Sequence, residues 1–263
     1  MTEIELKFQV PDAARAAVAR AVAQGRSGQT RLQAVYFDTA DRRLAAAGVA
    51  VRLRLEGARW VQTAKAGDPH AMQRHEHNAD VAAPADGAPP ALDLARHDGT
   101  PAGALVQRAR DGAPLVPLYR TDILRTHRLV HAGAGSLEYA LDVGEITSGE
   151  RRLAVHELEI ELVDGAPIAL LDAAACWVRR HGLWLDTRSK AERGDRLSRG
   201  LAQGVPVPAT AWPNAADART VTAALLAHLL PNLSEVAAGG ATDGHFAAVR
   251  DALDRAVAAL SRL

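Results

Sequence analysis

Alternation of ionic and apolar residues is the feature that most constrains the fold of this chain. Glu3, Glu5 and Lys7 are separated by single aliphatic residues at the very start of the sequence. Side chains two positions apart lie on the same face of a β-strand, so these three share one face. A solvated edge strand shows the same pattern, so this segment alone does not decide between the two interpretations.

The same alternation recurs along the chain, and the repetition changes its meaning. Arg52 and Arg54 alternate with aliphatic residues in one segment, and Lys65 follows in the next strand-like stretch. Further charged residues at alternating positions are Arg74, Glu76, Glu138, Asp142, Glu157, Glu159 and Glu161. Many strands would then carry charged faces of both signs. A closed antiparallel barrel of about eight strands, lined by charge and packed outside by helices, uses this pattern directly.

Strand-like and helical stretches alternate in a way that predicts an α+β fold. Strands are expected at 30–38, 49–56, 59–66, 73–83, 119–131, 136–143 and 153–163. Helical patterns cover 13–23, 168–181, 217–230 and 243–263, and 186–200 reads as a turn that enters a helix. The prolines of the segment 201–216 are typical of a linker.

A series of short motifs resembles, in the same order, those of a known family. The motifs are Glu3-Ile-Glu-Leu-Lys7, Tyr36-Phe-Asp-Thr39, Val51-Arg-Leu-Arg54, Thr63-Ala-Lys65, Arg74-His-Glu76, the strand with Arg125, Leu141-Asp142, Glu157-Leu-Glu-Ile-Glu161 and Ser189-Lys-Ala-Glu-Arg193. The family is the CYTH family, also called triphosphate tunnel metalloenzymes. The most similar subgroup is the bacterial inorganic triphosphatases, which join this tunnel domain to a C-terminal helical CHAD domain.

The resemblance implies a division of the chain into a tunnel domain at 1–200, a linker at 201–216 and a helical segment at 217–263. The last segment resembles the start of a CHAD domain. CHAD helices are expected to carry basic residues that bind polyphosphate, but here Arg250 and Arg255 are offset by Asp251 and Asp254. We therefore expect a helical hairpin that packs on the barrel, or on a second subunit in a homodimer.

Composition limits the partners and the cell compartment. The chain has 263 residues with 31 basic and 31 acidic side chains, so no net charge steers it to nucleic acid or to an anionic membrane. No apolar run reaches the ~20 residues of a membrane helix, and the acidic, strand-like N-terminus is unlike a signal peptide. The single cysteine, Cys176, is expected in a helical core. These features predict a cytoplasmic protein.

A triphosphate would need fixed positive charges, because a bare polyanion is costly to move out of water. Arg52 and Arg54 suit phosphate because a guanidinium offers two parallel donors. Arg125 and Arg128 cannot both face inward on a regular strand, and the resemblance favours Arg125. The predicted substrate-binding residues are Lys7, Arg52, Arg54, Lys65, Arg74, Arg125, Lys190 and Arg193.

The carboxylates suit a hard divalent cation, Mg²⁺ or Mn²⁺, which takes oxygen ligands. Glu3 and Glu5 are expected to bind it together with one or more of Glu157, Glu159 and Glu161. Asp142 and Glu76 are assigned one of three roles: ligands of a second metal, residues that orient a water, or partners of the arginines. The choice among these roles, and among the three later glutamates, stays open.

The predicted reaction is metal-dependent hydrolysis of inorganic triphosphate (tripolyphosphate) to pyrophosphate and phosphate. Lys7, Tyr36 and Lys65 are the predicted catalytic residues. Lys7 would activate the attacking water or stabilise the leaving oxygen, and the resemblance implies that Tyr36 pairs with Lys7; a packing role is the alternative for Tyr36. Other CYTH activities remain open, namely hydrolysis of thiamine triphosphate, of nucleoside triphosphates or of RNA 5′-triphosphate, and adenylate cyclisation. So does a polyphosphate-binding module without turnover.

Overall fold

The computed structural model describes residues 4–66, 75–84, 88–209 and 217–260. Within these ranges the chain forms nine β-strands and seven α-helices, which makes it an α+β protein. The strands are β1 (Glu5–Gln9), β2 (Gly28–Asp38), β3 (Val49–Glu56), β4 (Arg59–Ala66), β5 (His75–Val81), β6 (Val116–Ala132), β7 (Gly135–Ser148), β8 (Arg151–Gly165) and β9 (Trp184–Leu185). The helices are α1 (Arg15–Val22), α2 (Arg43–Ala46), α3 (Pro101–Arg110), α4 (Pro167–His181), α5 (Lys190–Ser198), α6 (Ala218–Ala237) and α7 (Asp243–Leu260).

All nine strands belong to one antiparallel sheet. Its order is β5-β4-β3-β2-β6-β7-β8-β1-β9. The first strand therefore pairs with the eighth, with Lys7 opposite Glu159 and Glu5 opposite Glu161. This long-range pairing brings the first motif of the chain beside the triple-glutamate segment.

The closed barrel of about eight strands is wrong for the described part of the chain, because the nine-stranded sheet is open. Among the described residues, β5 pairs only with β4, and the two-residue β9 pairs only with β1. Just after β9, the backbone N–H of Thr187 donates to Ser234 Oγ of α6 over 2.9 Å. A very short edge strand that continues into a helix-bound segment cannot serve as a template for another strand.

Two pairs of helices cover different parts of the apolar face of the sheet. Helices α1 and α4 pack on β1, β7 and β8, where Val18, Leu158, Ile160 and Leu170 are at most 1% exposed. Helices α2 and α3 form a second cluster with β3 and β4. Burial of aliphatic surface on this side supplies the main driving force that holds the sheet in place.

Helix α5 packs on the other, charged face of the sheet. Its Ala191 and Leu197 contact a small apolar cluster built from β2, β6, β7 and β8. The side chain of Ser189 caps the helix by accepting from the N–H of Glu192 over 3.0 Å. A Cβ at Gly194 would lie 2.2 Å from the Tyr119 ring, so only glycine permits this close approach.

Several boundaries differ from the sequence prediction. The helix expected at 217–230 continues to Ala237 and passes through Pro231. The prediction that Cys176 is a core residue is wrong, since its side chain is exposed. With about 3.6 residues per turn, the buried side of α4 contains Ala174 and Trp177, and Cys176 falls outside it. The structure also shows β9, which the sequence did not predict. No helix in the described ranges is both long and apolar enough to span a membrane.

We predict that Ile160→Ala destabilises the protein by about 2–5 kcal/mol, because it opens a cavity in the tightly packed core under α1 and α4. Ile160 is 0% exposed, whereas Val163 on the same strand is 53% exposed. The control Val163→Ala should change the free energy of unfolding by no more than about 0.5 kcal/mol. Chemical denaturation measures both, and equal effects for the two variants would contradict this packing.

Candidate active site

The described candidates on the strands lie on one face of the sheet, which we call the polar face. The strand register aligns them: Asp142 lies opposite both Arg125 and Glu157, and Lys65 lies opposite Glu76. The polar face comprises Glu5, Lys7, Tyr36, Arg52, Arg54, Lys65, Glu76, Arg125, Asp142, Glu157, Glu159 and Glu161. Lys190 and Arg193 reach it from α5. Glu3 and Arg74 lie outside the described residues.

Three carboxylates gather at the centre of the polar face. One oxygen each from Asp142, Glu157 and Glu159 lies within 4.8 Å of the others, and we call this group the acidic trio. Asp142 is 0% and Glu157 1% exposed. Buried carboxylates need counter-charges, because water no longer solvates them. The trio therefore depends on the cations around it.

The Lys190 ammonium lies among all three members of the acidic trio. Its Nζ is 2.6 Å from Asp142 Oδ2 and 2.9 Å from Glu159 Oε1, and it also contacts Glu157. Burial alone would lower the pKa of Lys190, but the surrounding carboxylates raise it above its ordinary value of 10.5. Lys190 is therefore a permanent cation at neutral pH in this arrangement.

Two arginines complete the charge balance of the trio. Arg125 donates from Nε and Nη2 to the two oxygens of Asp142, each over 2.7 Å, and it also contacts Glu159. Arg193 of α5 donates to Glu157. Burial on its own would raise the pKa of Glu159, but Lys190 and Arg125 outweigh it and hold the pKa well below its ordinary 4.5. Arg128 lies on the opposite face, where it donates to the backbone oxygen of Gln24.

The other half of the polar face is more cationic. Arg52 Nη1 donates to the Tyr36 hydroxyl over 3.2 Å, and the Tyr36 ring stacks on Tyr119 with centroids 4.7 Å apart. The Nε–H of Arg52 is buried and has no acceptor among the described residues. Lys65 Nζ is 2.5 Å from Glu76 Oε2, and Arg54 pairs with Glu56.

Tyr36 lies within reach of charges from both halves of the polar face. Burial would raise the pKa of Tyr36, but the charges of Arg52 and Lys190 bring it below the ordinary value of 10.0. Tyr36 lies on β2, whereas Lys190 lies on α5. The positive charge of Lys190 on α5 therefore reaches Tyr36 in the arginine-rich half of the polar face.

Lys7 is half-buried and its Nζ faces the segment that precedes α5. Burial is the largest influence and lowers its pKa from the ordinary 10.5, against the opposing charges of Glu157 and Asp186. Its Nζ donates to the backbone oxygen of Arg188. The expected Tyr36–Lys7 pair is not formed, because β6, β7 and β8 separate their strands and Tyr36 accepts from Arg52 instead.

Glu5 and Glu161 face each other near one end of the β1–β8 pair, and the acidic trio does not include them. Glu5 is exposed and Glu161 is half-buried. Asp142 was expected to bind a second metal, orient a water or pair with an arginine; it pairs with Arg125 and also joins Glu157 and Glu159. Glu76 lies several strands away beside Lys65.

Sequence reasoning did not find the buried pair Asp186–Arg188. The Arg188 guanidinium donates to both oxygens of Asp186 over 2.9 and 3.0 Å, and Gln9 donates to Asp186 over 2.7 Å. The Asp186 N–H also donates to the Lys7 carbonyl over 2.8 Å. The alternation of opposite charges just before the Ser189 motif was the one available signal.

Comparison with known proteins agrees with these observations. A family model described as the CYTH domain matches residues 1–194. The chain belongs to the CYTH family. The chain is also 34% identical over 80 residues to an inorganic triphosphatase of Haemophilus influenzae. That alignment covers 30% of this chain and 23% of the relative, so the chain spans less than a quarter of the relative's length.

Solved structures resemble this CYTH chain in fold. A proposed adenylyl cyclase from Hippeastrum, described as having a dominant triphosphatase activity, matches with a TM-score of 0.51 and 18% identity over 76% of this chain and 96% of that chain. A proposed adenylate cyclase from Bacillus halodurans gives a TM-score of 0.48 and 19% identity over 73% and 96%. At this identity the likeness to the Hippeastrum structure concerns the fold alone.

We predict that Asp186 makes stability depend on pH below pH 4. Burial would raise its pKa, but Arg188 and Lys7 lower it from the ordinary 3.8 to about 2. A folded pKa below the unfolded one stabilises the fold above the unfolded pKa, and this is lost as pH falls through the folded pKa. The contribution is on the order of 2 kcal/mol.

Asp186→Asn should therefore be less stable than the natural protein at pH 6, and the difference should shrink between about pH 4 and pH 2. Urea denaturation at several pH values measures this. Asp122→Asn is the control, since its pair with Arg31 is 37% and 65% exposed and solvent screens it. A pH-independent difference for Asp186→Asn would contradict the ion pair.

Proposed function

We propose that this CYTH chain hydrolyses inorganic triphosphate to pyrophosphate and phosphate, with Mg²⁺ or Mn²⁺ as cofactor. The observation that carries the proposal is a pair of buried guanidinium Nε–H groups on the polar face, from Arg52 of β3 and Arg193 of α5. The Nε–H of each has no acceptor among the described residues. An unpaired buried donor costs about 1–3 kcal/mol, so such groups are expected where a bound anion supplies the acceptor.

The positive charge of the remaining cations suits a short chain of phosphates. Arg54, Lys65, Arg125 and Lys190 lie on the polar face or reach it from α5. Phosphoryl transfer needs charge neutralisation and positioning more than covalent participation by the protein. We assign Arg52, Arg54 and Arg193 to phosphate binding, because each guanidinium offers a planar fork to two oxygens.

The acidic trio suits the metal that this family of reactions uses. Carboxylate oxygens are the ligands that Mg²⁺ and Mn²⁺ prefer, and the trio brings three of them together around the Lys190 ammonium. Asp142, Glu157 and Glu159 would hold the ion, which when bound neutralises charge on phosphate oxygens. Lys190 neutralises the same carboxylates. With an ion bound there, its ammonium would be able to contact a phosphate oxygen instead.

The other polar residues fit the proton and charge requirements of hydrolysis. A lowered pKa makes the neutral form of Lys7 more accessible, so Lys7 Nζ can accept a proton from the attacking water. Tyr36 orients Arg52 through its hydroxyl rather than acting on Lys7. Lys65, held by Glu76, is placed to stabilise the negative charge that develops on the leaving oxygen.

The relative from Haemophilus influenzae supports inorganic triphosphate as the substrate, and the Hippeastrum structure supports a triphosphatase among several CYTH activities. We predict that the protein releases phosphate from tripolyphosphate with Mg²⁺ or Mn²⁺ and that a chelator abolishes the activity. Tripolyphosphate should be preferred over ATP, thiamine triphosphate and pyrophosphate in a phosphate-release assay. A strong preference for ATP would contradict the substrate, and tight binding without release would indicate a binding module.

Arg52→Ala should lower kcat/KM for tripolyphosphate by about 100- to 1,000-fold, because it removes a fixed cation in a buried site. Arg31→Ala is the matched control. Arg31 lies on the adjacent strand β2, is 65% exposed and pairs with Asp122 away from the polar face. Steady-state kinetics measure both variants. A similar loss in Arg31→Ala, or none in Arg52→Ala, would place the phosphates elsewhere.

A further inference from the structure

The buried side of α6 is polar, although the helix lies beyond the residues that match the family model. Four of its side chains are at most 4% exposed, and they are His228, Asn232, Ser234 and Glu235. Helices that only pack on a domain bury aliphatic residues. A buried polar side is retained where specific hydrogen bonds fix one arrangement.

Glu235 connects two arginines that flank the site-bearing part of α5. Its Oε1 accepts from Arg196 Nη1, and its Oε2 lies 3.4 Å from Arg188 Nη1. Arg188 comes just before α5, and Arg196 lies near its end. Between them are Lys190 and Arg193, the two residues that α5 sends to the acidic trio. The Glu235 carboxylate of α6 therefore contacts both ends of the segment that carries Lys190 and Arg193.

Neighbouring contacts fix α6 in the same position. Ser234 Oγ accepts from the backbone N–H of Thr187 over 2.9 Å. The Asn232 amide makes two hydrogen bonds with the backbone of Val207, each of 3.0 Å. Glu235 is therefore held in register against the segment 186–196 and does not depend on a single flexible contact.

The same segment also carries the contacts of Lys7. Arg188 binds Asp186 through its side chain, and its carbonyl accepts from Lys7 Nζ. Loss of the Glu235 charge would thus leave Arg188 with one carboxylate instead of two. It would affect the surroundings of the proposed base as well as the position of α5.

We propose that Glu235 is a positioning residue of the CYTH site: it holds the segment 186–196 so that Lys190 and Arg193 point to the acidic trio. The structural part of this inference stands alone, and its kinetic consequence rests on the proposed function. A carboxylate buried between two arginines is a weak source of stability, and apolar residues would pack a helix at least as well. A specific orientation of α5 is what the ion pairs supply.

The first test is hydrogen exchange on the full chain for Glu235→Ala and Glu235→Gln. We expect amides in 186–196 to exchange about tenfold faster, since the segment opens locally, while β7 and β8 keep their protection. Asp251→Asn is the matched control, because Asp251 is a carboxylate of the same hairpin that pairs with Arg255 at an exposed site. The control should exchange like the natural protein.

The second test measures turnover of tripolyphosphate and its binding by calorimetry. Glu235→Ala should lower both the turnover of tripolyphosphate and the affinity for it by about 10- to 100-fold, as expected when reactive groups are misplaced by about 1 Å. Lys190→Ala, combined with Glu235→Ala, should lose less than the product of the two single losses, because Glu235 acts through α5. A role in overall stability alone predicts that the losses multiply.

The outcomes separate this inference from the proposed function. If the natural protein neither binds nor hydrolyses tripolyphosphate, the proposed function fails, and hydrogen exchange still decides whether Glu235 holds the segment. Glu235→Gln keeps the shape and removes the charge, so it serves if Glu235→Ala does not fold. Unchanged exchange in 186–196 for the Gln variant, or fully multiplicative losses with Lys190→Ala, would overturn the inference.

Discussion

The charge balance between Lys190 and the acidic trio is the interaction on which the rest of the structure depends. Asp142 and Glu157 are almost completely buried, and such carboxylates are stable only beside cations. The three cations come from two elements: Arg125 from β6, and Lys190 and Arg193 from α5. The sheet can therefore carry this acidic centre only while α5 lies on it. The position of α5 and the geometry of the site are consequences of one electrostatic requirement.

Helix α5 covers part of the charged face that a closed barrel was expected to enclose. The open sheet leaves its charged face accessible, and the helix covers the central part of it. Three local features place the helix: the Ser189 cap, the glycine at position 194 beside Tyr119, and the apolar contacts of Leu197. Helix α6 contributes Glu235, which contacts Arg188 and Arg196 at the two ends of this segment. A cation-rich surface where a helix packs on a sheet can favour a small polyanion, because low solvent exposure strengthens each charge–charge contact.

The sequence predicted the polar face well, because a period of two assigns a face to every residue of a regular strand. Arg52, Lys65 and Glu159 share that face once the register is known. Closure of the barrel could not be predicted, since it depends on whether edge strands meet and not on which way side chains point. The contact of Glu235 with Arg188 and Arg196 was also out of reach. It joins α6 to one residue just before α5 and one near the end of α5, both far away in the sequence, and no periodic pattern marks it. The catalytic roles and the homodimer stay predictions.

The most direct measurement of the central claim is a crystal structure of the protein with Mn²⁺ and a non-hydrolysable triphosphate analogue, with anomalous scattering to locate the metal. The account predicts a manganese signal among Asp142, Glu157 and Glu159, with Lys190 moved onto a phosphate oxygen and the Nε–H groups of Arg52 and Arg193 bound to the analogue. An analogue bound away from the polar face, with Lys190 still between the three carboxylates, would contradict it.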